Sequence, residues 1–337
     1  MAMTIKDIAR ESGYAVGTVS RVLNNHPDVS DTARERIMEV VEKHHFRLNN
    51  NAKHLKQQAS NGIAIIVKGS QNMLFASIMG QMQKMIREKG YACLIYYIDE
   101  TDNELEQALQ VIRERRPMGI LFLGSNLEYF RDRFSQVSIP CVLVTNSAET
   151  LEFSNLSSVS TDDSEAAEAA IGHLIGLGHT KIGVLGGQIE KSRAAFTRYV
   201  GCRRAFNAHE IPFLPEKQYE SALFSMAEGY EAMERLLDKM PDLTAVFAMA
   251  DVMALGAIRA IVDRGLRVPE DISVVGFDGI ELGSYLTPKL TTIRQEREQI
   301  AARSVELLLD SIGEGAGAVH ELVPFRIISG ESTRKLK

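Results

Sequence analysis

Residues 4–24, with the sequence TIKDIARESGYAVGTVSRVLN, contain the pattern that decides how the chain begins. Apolar residues recur at helical spacing in two short runs, first Ile5, Ile8 and Ala9 and then Val19, Val22 and Leu23. Gly13 lies between the runs, and glycine readily takes the left-handed conformation that ends a helix. The pattern predicts a first helix that ends near Gly13 and a second helix over about Val16–Leu23.

A third helix is predicted over about residues 31–44, where Ser30 can cap its N-terminus. Two helices joined by a tight turn match the helix-turn-helix plan, in which the second helix enters the major groove of DNA. A generic helical hairpin is the alternative. The polar side of the second helix carries Thr18, Ser20 and Arg21. These side chains suit phosphates and base edges, so they favour DNA binding.

The charge of the chain is distributed unevenly. The formal net charge is −6, but residues 1–60 carry nine basic and seven acidic side chains, a net charge of +2. The remaining residues therefore carry a net charge of −8. A mildly basic N-terminal region followed by an acidic body is compatible with a polyanion that binds at one end only.

From Asn61 onward, short apolar runs alternate with amphipathic segments. The runs predict strands over 62–67, 92–98, 119–123, 141–144, 181–185, 245–249, 272–275 and 322–328. The amphipathic segments predict helices over 75–88, 103–115, 164–177, 198–209, 227–238, 251–263 and 296–311. Such alternation is typical of parallel sheets covered on both faces, and its length indicates two lobes. Ligands of these sheets bind beyond the carboxyl ends of the strands.

Several segments are similar, in order and spacing, to segments of one bacterial family. They are Thr4–Gly13, Thr18–Asn24, Phe46–Asn49, Ala52–Leu55, Gly178–His179, Arg198–Gly201, Asp251–Gly256, Val268–Asp278 and Pro288–Ile293. The family is the lactose/galactose repressor family of bacterial transcription regulators. No single segment is specific, but the set spans nearly the whole chain. The chain therefore resembles this family.

The resemblance implies an α/β protein with three parts. These are a three-helix helix-turn-helix domain at 1–48, a hinge helix at 49–60, and an effector-binding and dimerisation body at 61–337. The body is expected to resemble periplasmic binding proteins, with two lobes of parallel sheets. The N-lobe is expected over about 61–161 and 293–325, and the C-lobe over about 162–292 and 326–337. The implied partners are double-stranded operator DNA, a small-molecule effector and a second copy of the chain, as a homodimer.

The resemblance also assigns DNA contacts to the helical head, at Thr4, Val16, Gly17, Thr18, Ser20, Arg21 and Asn24. Arg21 offers a bidentate fork to guanine, whereas Thr18 and Ser20 are expected to hold phosphates. Val16 and Gly17 fall on two variable positions that set operator preference. Ala15 stands where a serine is usual, so the second helix is expected to lack its side-chain cap, at a cost of about 1 kcal/mol.

Four further DNA contacts are assigned to the hinge, at Asn49, Ala52, Lys53 and Leu55. In the family this segment folds only on DNA, where a leucine at the position of Leu55 enters the minor groove and kinks the duplex. Lys53 stands where an arginine is usual, so it keeps the charge but loses the planar fork. An isolated helix this short is marginal in water. We therefore expect a disordered linker without DNA and a helix with it.

The effector site implied by the resemblance contains Phe75, Thr145, Arg198, Phe224, Ala250 and Asp278. Arg198 and Asp278 match polar clamps, and the two phenylalanines match positions that stack on flat or sugar-ring faces. A surface ion pair and core packing are the respective alternatives. Asp251 is expected to cap the helix that it begins. A sugar or sugar derivative is expected because most members of the family bind one. Ala250 and Thr145 replace residues used by sugar-binding members, so a purine-like effector is the alternative.

Other classes of protein fit the sequence less well. It contains no nucleophile-elbow, phosphate-loop, dinucleotide-binding or zinc-protease motif, so no enzyme activity, cofactor or metal site is expected. No apolar run reaches the roughly 18 residues of a membrane span, and no signal peptide is evident. Cys93, Cys141 and Cys202 form an odd, unclustered set, as in proteins of the reducing cytoplasm. A secreted sugar-binding protein without a regulatory role is the remaining alternative, and the N-terminal helices argue against it.

Overall fold

The computed structural model describes residues 5–23, 28–44, 61–69 and 72–336 of the chain. The chain divides into two compact units, Met1–Gln58 and Ala59–Lys337. The predictions for Thr4, for Asn24 and for the hinge over 49–60 fall outside the described residues.

The described part of the first unit contains three helices, α1 (Ile5–Ser12), α2 (Val16–Leu23) and α3 (Asp31–Lys43), as the sequence predicts. Gly13 has φ of +79°, and its N–H donates to the carbonyl of Ala9 at 3.1 Å, which ends α1. The Ser30 side chain caps α3 by accepting from the N–H of Ala33 at 3.4 Å. The buried core of this unit consists of Ile8, Ala9, Val19, Val22, Ile37, Val40 and Val41.

The second unit contains two six-stranded sheets. The first sheet consists of β1 (Gly62–Lys68), β2 (Ala92–Ile98), β3 (Gly119–Leu123), β4 (Cys141–Val144), β5 (Leu156–Ser160) and β11 (His320–Leu322). Its strand order is β11-β5-β4-β3-β1-β2, and all its pairs are parallel. The helices that pack around it are α4 (Met73–Glu88), α5 (Glu104–Arg115), α6 (Leu127–Arg133) and α12 (Arg297–Glu314).

The second sheet consists of β6 (Ile182–Gly186), β7 (Tyr219–Ser221), β8 (Ala245–Ala248), β9 (Ser273–Asp278), β10 (Thr291–Gln295) and β12 (Phe325–Ile328). Its order is β12-β10-β9-β8-β6-β7, and β12 runs antiparallel to β10 whereas the other pairs are parallel. The helices around it are α7 (Asp163–Gly176), α8 (Arg193–Ala208), α9 (Pro215–Gln218), α10 (Met226–Lys239) and α11 (Asp251–Asp263). Helix α8 begins five residues before the predicted start because Ser192 caps it, accepting from the N–H of Ala195 at 3.3 Å.

Both sheets repeat one strand order, β2-β1-β3-β4-β5 in the first and β7-β6-β8-β9-β10 in the second. This is a doubly wound order. The direction of winding reverses between β1 and β3 in the first sheet, and between β6 and β8 in the second. The reversal separates the loops that follow β1 and β3, and likewise those that follow β6 and β8. The expected pair of parallel α/β sheets is confirmed. The loops at each reversal are the places where sheets of this kind bind ligands.

The chain crosses between the sheets at residues 161–162, at Glu296 and at residues 323–324. The crossing expected near residue 293 is wrong, because Thr291–Gln295 forms β10 in the second sheet. The single last strand expected over 322–328 is also wrong, since β11 and β12 belong to different sheets. Strands β5 and β10 each end at a crossing, so the carboxyl edges of both sheets lie on the side of the crossing segments. The space between these two edges is here called the cleft.

Candidate functional site

Helix α2 has one side in the core of the first unit and another in solvent. Val19 and Val22 are buried, as the apolar pattern predicts. The candidate DNA contacts lie elsewhere on the helix, with Val16, Gly17 and Arg21 exposed and Thr18 and Ser20 partly buried. The helix therefore presents a surface of small and polar side chains with one arginine, which matches the composition of a recognition helix.

The carboxylate of Glu11 links the last turn of α1 to the end of α3. Glu11, in the last turn of α1, accepts from Lys43 Nζ at 2.8 Å and lies 2.9 Å from His44 Nε2. Hydrogen bonds from Lys43 and His44 lower the pKa of Glu11 to about 2. The contact ties α1 to the end of α3, where the chain leaves the head.

Arg198 lies at the carboxyl edge of the second sheet and is buried, with 7% of its surface exposed. Its Nε donates to Asp163 Oδ1 at 3.0 Å, and its Nη1 donates to the carbonyl of Met249 at 2.5 Å. The guanidinium carbon lies 3.8 Å from the centroid of the Phe277 ring. A surface ion pair with Asp278 is therefore excluded, because Arg198 is buried and its hydrogen-bonded carboxylate is Asp163.

Asp278 ends β9 at the same edge and is also buried. Its Oδ1 accepts from Gln295 Nε2 at 2.9 Å. Burial raises the pKa of Asp278 to about 7, although the nearby charge of Arg198 and the hydrogen bond from Gln295 oppose the increase. Its φ is +120°, a strained backbone conformation of the kind that concentrates at functional sites.

Asp251 is wholly buried behind this cluster. It was expected to cap α11, but the N-cap residue is Ala250, so that prediction is wrong. The two oxygens of Asp251 instead accept from Thr292 Oγ1 at 2.6 Å and from the N–H of Ile280 at 2.7 Å. Burial and the neighbouring charge of Asp278 raise the pKa of Asp251 well above its usual value. The residue joins the start of α11 to β10 and to the loop after β9.

The two candidate aromatic residues each lie over a glycine in a loop at the carboxyl edge of a sheet. Phe75, in the first turn of α4, lies over Gly124 after β3, where an added Cβ would be 2.5 Å from its Cε2 atom. Phe224 lies over Gly187 after β6, where an added Cβ would be 2.8 Å from its Cε2 atom. Both rings are partly buried, and each covers a loop at the reversal of strand order. A larger residue at either position would have to displace the ring, and Gly124 also has a positive φ of +80°.

The other two candidates contribute less polar chemistry. Thr145 follows β4 with φ of +74°, and its N–H donates to the carbonyl of Val159 at 2.8 Å. A positive φ is a real outlier for a β-branched residue. Ala250 is 2% exposed and has only a methyl group to offer. It follows Met249, so it lies next to the carbonyl that binds Arg198.

Three polar residues at the first-sheet edge were not predicted from the sequence. Ser125 follows β3, Asn146 follows β4 and Thr161 follows β5. Ser125 Oγ and Thr161 Oγ1 are buried and have no hydrogen-bond partner among the described residues. Buried hydroxyls are usually paired, so these two are candidates for contact with a ligand. Only their position after parallel strands could have signalled them.

An ion pair lies behind this edge. Lys68 Nζ is 2.7 Å from Glu104 Oε2, and both side chains are at least nine-tenths buried. Glu104 Oε1 also accepts from the N–H of Asn126 at 2.5 Å, which fixes the loop after β3. The ammonium group lies 5.0 Å from the centroid of the Tyr129 ring. Lys68 is therefore neutralised and covered where β1 ends.

The described residues offer neither a metal site nor a membrane span. Within them, no cluster of three or more His, Cys, Asp or Glu side chains is arranged to hold a metal ion. None of their helices is long and apolar enough to span a membrane.

Comparisons with known proteins agree with this architecture. The family description "Bacterial regulatory proteins, lacI family" matches residues 4–49, and "Periplasmic binding protein-like domain" matches residues 171–333. The HTH-type transcriptional regulator MalR of Clostridium butyricum is 34% identical over 98% of this chain and 99% of its own length. The HTH-type transcriptional repressor PurR of Haemophilus influenzae (strain PittEE) is 32% identical over 92% of this chain and 91% of its own length.

Among solved structures, a complex of the transcriptional regulator CelR with cellobiose is similar, with a TM-score of 0.71 and 26% identity. The match covers 98% of this chain and 99% of the CelR chain. These similarities extend through both the helical head and the two-sheet body. The chain therefore belongs to the lacI family of DNA-binding, effector-controlled transcription regulators, whose members in these comparisons are not enzymes.

Proposed function

We propose that this regulator represses transcription by binding double-stranded operator DNA as a homodimer, under the control of a sugar or sugar derivative. The head (1–48) and hinge (49–60) contact DNA, and the body (61–337) binds the effector and the second protomer. Its lobes are built on the two sheets. Such a protein acts in the cytoplasm, where bacterial DNA is located.

The DNA contacts are proposed on α2 and around it. The exposure of Val16, Gly17 and Arg21 supports the major-groove assignment, with Thr18 and Ser20 at the phosphates. Thr4, Asn24, Asn49, Ala52, Lys53 and Leu55 complete the proposed contact. A dimer that presents two copies of α2 requires a DNA site of two-fold symmetry.

The effector is proposed to bind in the cleft, between the carboxyl edges of the two sheets. One observation carries this proposal, namely the cluster in which Arg198 bonds Asp163 beside Asp278 at the edge of the second sheet. Phe75 and Thr145 line the opposite edge, and Phe224 and Ala250 lie near the cluster. The CelR–cellobiose complex supports a sugar. A purine-like effector is the second candidate, because Phe75 and Phe224 have flat faces that can stack on a heterocycle.

A ligand that contacts both edges of the cleft can control DNA binding. Such a ligand stabilises one arrangement of the two lobes over others, and it shifts the equilibrium only by its difference in affinity for them. If that arrangement alters DNA affinity, DNA must alter effector affinity by the same factor.

The test is selection of binding sites from random duplexes, followed by affinity measurement with Arg21→Ala. We expect a two-fold symmetric site, and the variant should bind it about 1–3 kcal/mol more weakly with relaxed preference at one base position. The matched control is Arg36→Ala, which removes an exposed arginine of α3 that pairs with Glu39 at 2.8 Å. A selected site without symmetry, or equal losses in both variants, would contradict the proposal.

A further inference from the structure

We propose that the body itself contacts DNA, through a basic surface at the amino edge of the first sheet. This surface, named the basic edge, consists of six exposed side chains near the ends of α4 and α5, those of Lys84, Arg87, Lys89, Arg113, Arg115 and Arg116. It binds phosphate groups, which carry no sequence information. The inference rests on the proposed binding of operator DNA and adds to the contacts assigned to the head and hinge.

The basic edge differs in charge from the rest of the body. Residues 61–337 carry a net charge of −8, yet the segments 84–91 and 113–118 contain six basic and only two acidic side chains, those of Glu88 and Glu114. The positive surface is confined to one end of the amino edge, because Glu149 and Glu152 are exposed towards β5. A local positive field on an acidic protein attracts a polyanion to that place only.

The cations of the basic edge lack the acidic partners that similar cations have elsewhere in the body. Basic residues near helix C-termini are common because they interact favourably with the helix dipole. At the end of α10, however, Lys239 lies 2.5 Å from Glu220, and after α11 Arg264 contacts two carboxylates at 2.8 and 2.9 Å. Within the basic edge, only Lys84 has a carboxylate partner among the described residues, Glu88 at 3.9 Å. The other five cations can therefore bind an external anion.

The basic edge surrounds the point at which the chain enters the body. Strand β1 begins at Gly62 and lies between β2 and β3, and the N–H of Met118 donates to the carbonyl of Gly62 at 2.8 Å. Lys89 and Arg116 each precede one of these neighbouring strands by three residues. Since adjacent strands are about 4.8 Å apart, β2 and β3 are separated by about 10 Å. The two groups of cations thus flank the start of β1.

The chain that enters here comes from the DNA-binding head. Residues 49–60 span at most about 40 Å even if fully extended, so DNA held by the head is tethered close to this edge. Double-stranded DNA carries one negative charge per about 1.7 Å of its axis, so a duplex offers several phosphates to the unpaired cations. Continuity with the head and complementary charge together select DNA as the occupant of the basic edge.

The experiment measures how the DNA affinity of the full chain depends on salt. Wild type and the double variant Arg113→Gln/Arg115→Gln are titrated with the selected operator and with a random duplex of equal length. Each phosphate contact contributes about 0.9 to the slope of log affinity against log salt, or about threefold between 50 and 200 mM. The variant should bind both duplexes more weakly at the lower salt, and this deficit should shrink at least about threefold at the higher salt.

Two further variants separate a phosphate contact from a folding defect. The matched control, Arg203→Gln/Lys217→Gln, removes two exposed cations from the lobe of the second sheet and should keep the wild-type slope. Glu114→Gln removes an exposed acid from the basic edge, where Gln110 donates to it at 2.9 Å. This change should tighten the binding of both duplexes, an effect that a damaged fold does not produce.

An unchanged slope in Arg113→Gln/Arg115→Gln overturns the inference, and so does a loss confined to the operator, because phosphate contacts act on all sequences alike. Sedimentation of the same variant tests for a protein occupant. A changed oligomeric state would mean that the basic edge binds a second copy of the chain, which also overturns the inference. A wild type that binds neither duplex contradicts the proposed function itself, so the two failures are distinguishable.

Discussion

The two edges of the cleft differ in whether their buried polar side chains have hydrogen-bond partners. At the second-sheet edge, Arg198 donates to Asp163, and Gln295 donates to Asp278. At the first-sheet edge, the buried hydroxyls of Ser125 and Thr161 have no partner among the described residues. The polar side chains of the second-sheet edge are therefore oriented before a ligand binds, whereas the hydroxyls of the first-sheet edge remain available to a ligand.

The fixed edge has an electrostatic cost. Burial raises the pKa of Asp163, and it raises the pKa of Asp278 to about 7. A buried charge cluster of this kind seldom stabilises a fold overall, but removing one partner is strongly destabilising. The second-sheet edge is therefore preorganised at the expense of stability. Substitutions at the two edges should therefore differ in both size and sign.

The largest effect is expected for Arg198→Met. The change leaves Asp163 and Asp278 buried without their cation, and we expect it to lower the free energy of unfolding by about 3–5 kcal/mol at neutral pH. The control is Arg204→Met on the same helix, where the arginine is 56% exposed and lies 2.8 Å from Glu168. That surface pair should contribute no more than about 1 kcal/mol. Urea denaturation of both variants measures the difference, and equal losses would show that the cluster is not a buried network.

A smaller effect is expected for Asp278→Asn, and it depends on pH. The pKa of Asp278 is higher in the folded protein, about 7, than its ordinary value of 3.8. The folded state therefore holds a proton that the unfolded state releases, so this group stabilises the fold fully below pH 3.8 and loses that contribution as the pH rises to 7.

Urea denaturation across this range compares the two proteins. Relative to the variant, the wild type should lose about 2–4 kcal/mol of unfolding free energy between pH 4 and pH 8, as expected for a shift of this size. Glu281→Gln, a control whose side chain is exposed, should keep the wild-type profile. Parallel profiles for wild type and Asp278→Asn would mean that Asp278 stays ionised when folded.

The sequence predicted the fold wherever an element has a clear apolar pattern. The predicted bounds of α2, α11 and β2 agree with the structure. Strands β5 and β10 were missed because they are rich in serine and threonine, which an apolar pattern does not detect. These strands are buried because their hydroxyls are bonded, as between Ser158 Oγ and His320 Nδ1 at 2.8 Å. A single sequence does not show such long-range pairs.

The resemblance named candidate site residues one by one, but it did not predict their hydrogen-bond partners. The resemblance selected Arg198 and Asp278, and the structure places both at one edge. Their shared neighbour Asp163 lies 35 positions from Arg198, and packing of α7 against α8 brings the two together. The expected capping role of Asp251 failed for the same reason, since its partners are on β10 and in the loop after β9. Local spacing identifies candidate groups, whereas tertiary packing decides what each one binds.

The smallest effects come from one substitution made in each lobe, Thr161→Val after β5 and Thr292→Val within β10. Both threonines are buried, at 4% and 5% exposure. Thr292 Oγ1 donates to Asp251 Oδ1 at 2.6 Å, so its loss leaves a buried carboxylate oxygen unpaired and should cost about 1–3 kcal/mol. Thr161 Oγ1 has no partner within the described residues, so its loss should leave stability unchanged or raise it by up to about 1 kcal/mol. Denaturation of the two valine variants measures the contrast directly, because the chemical change is identical and only the surroundings differ. Equal destabilisation would mean that Thr161 also has a structural partner, and the first-sheet edge would then be as fixed as the second.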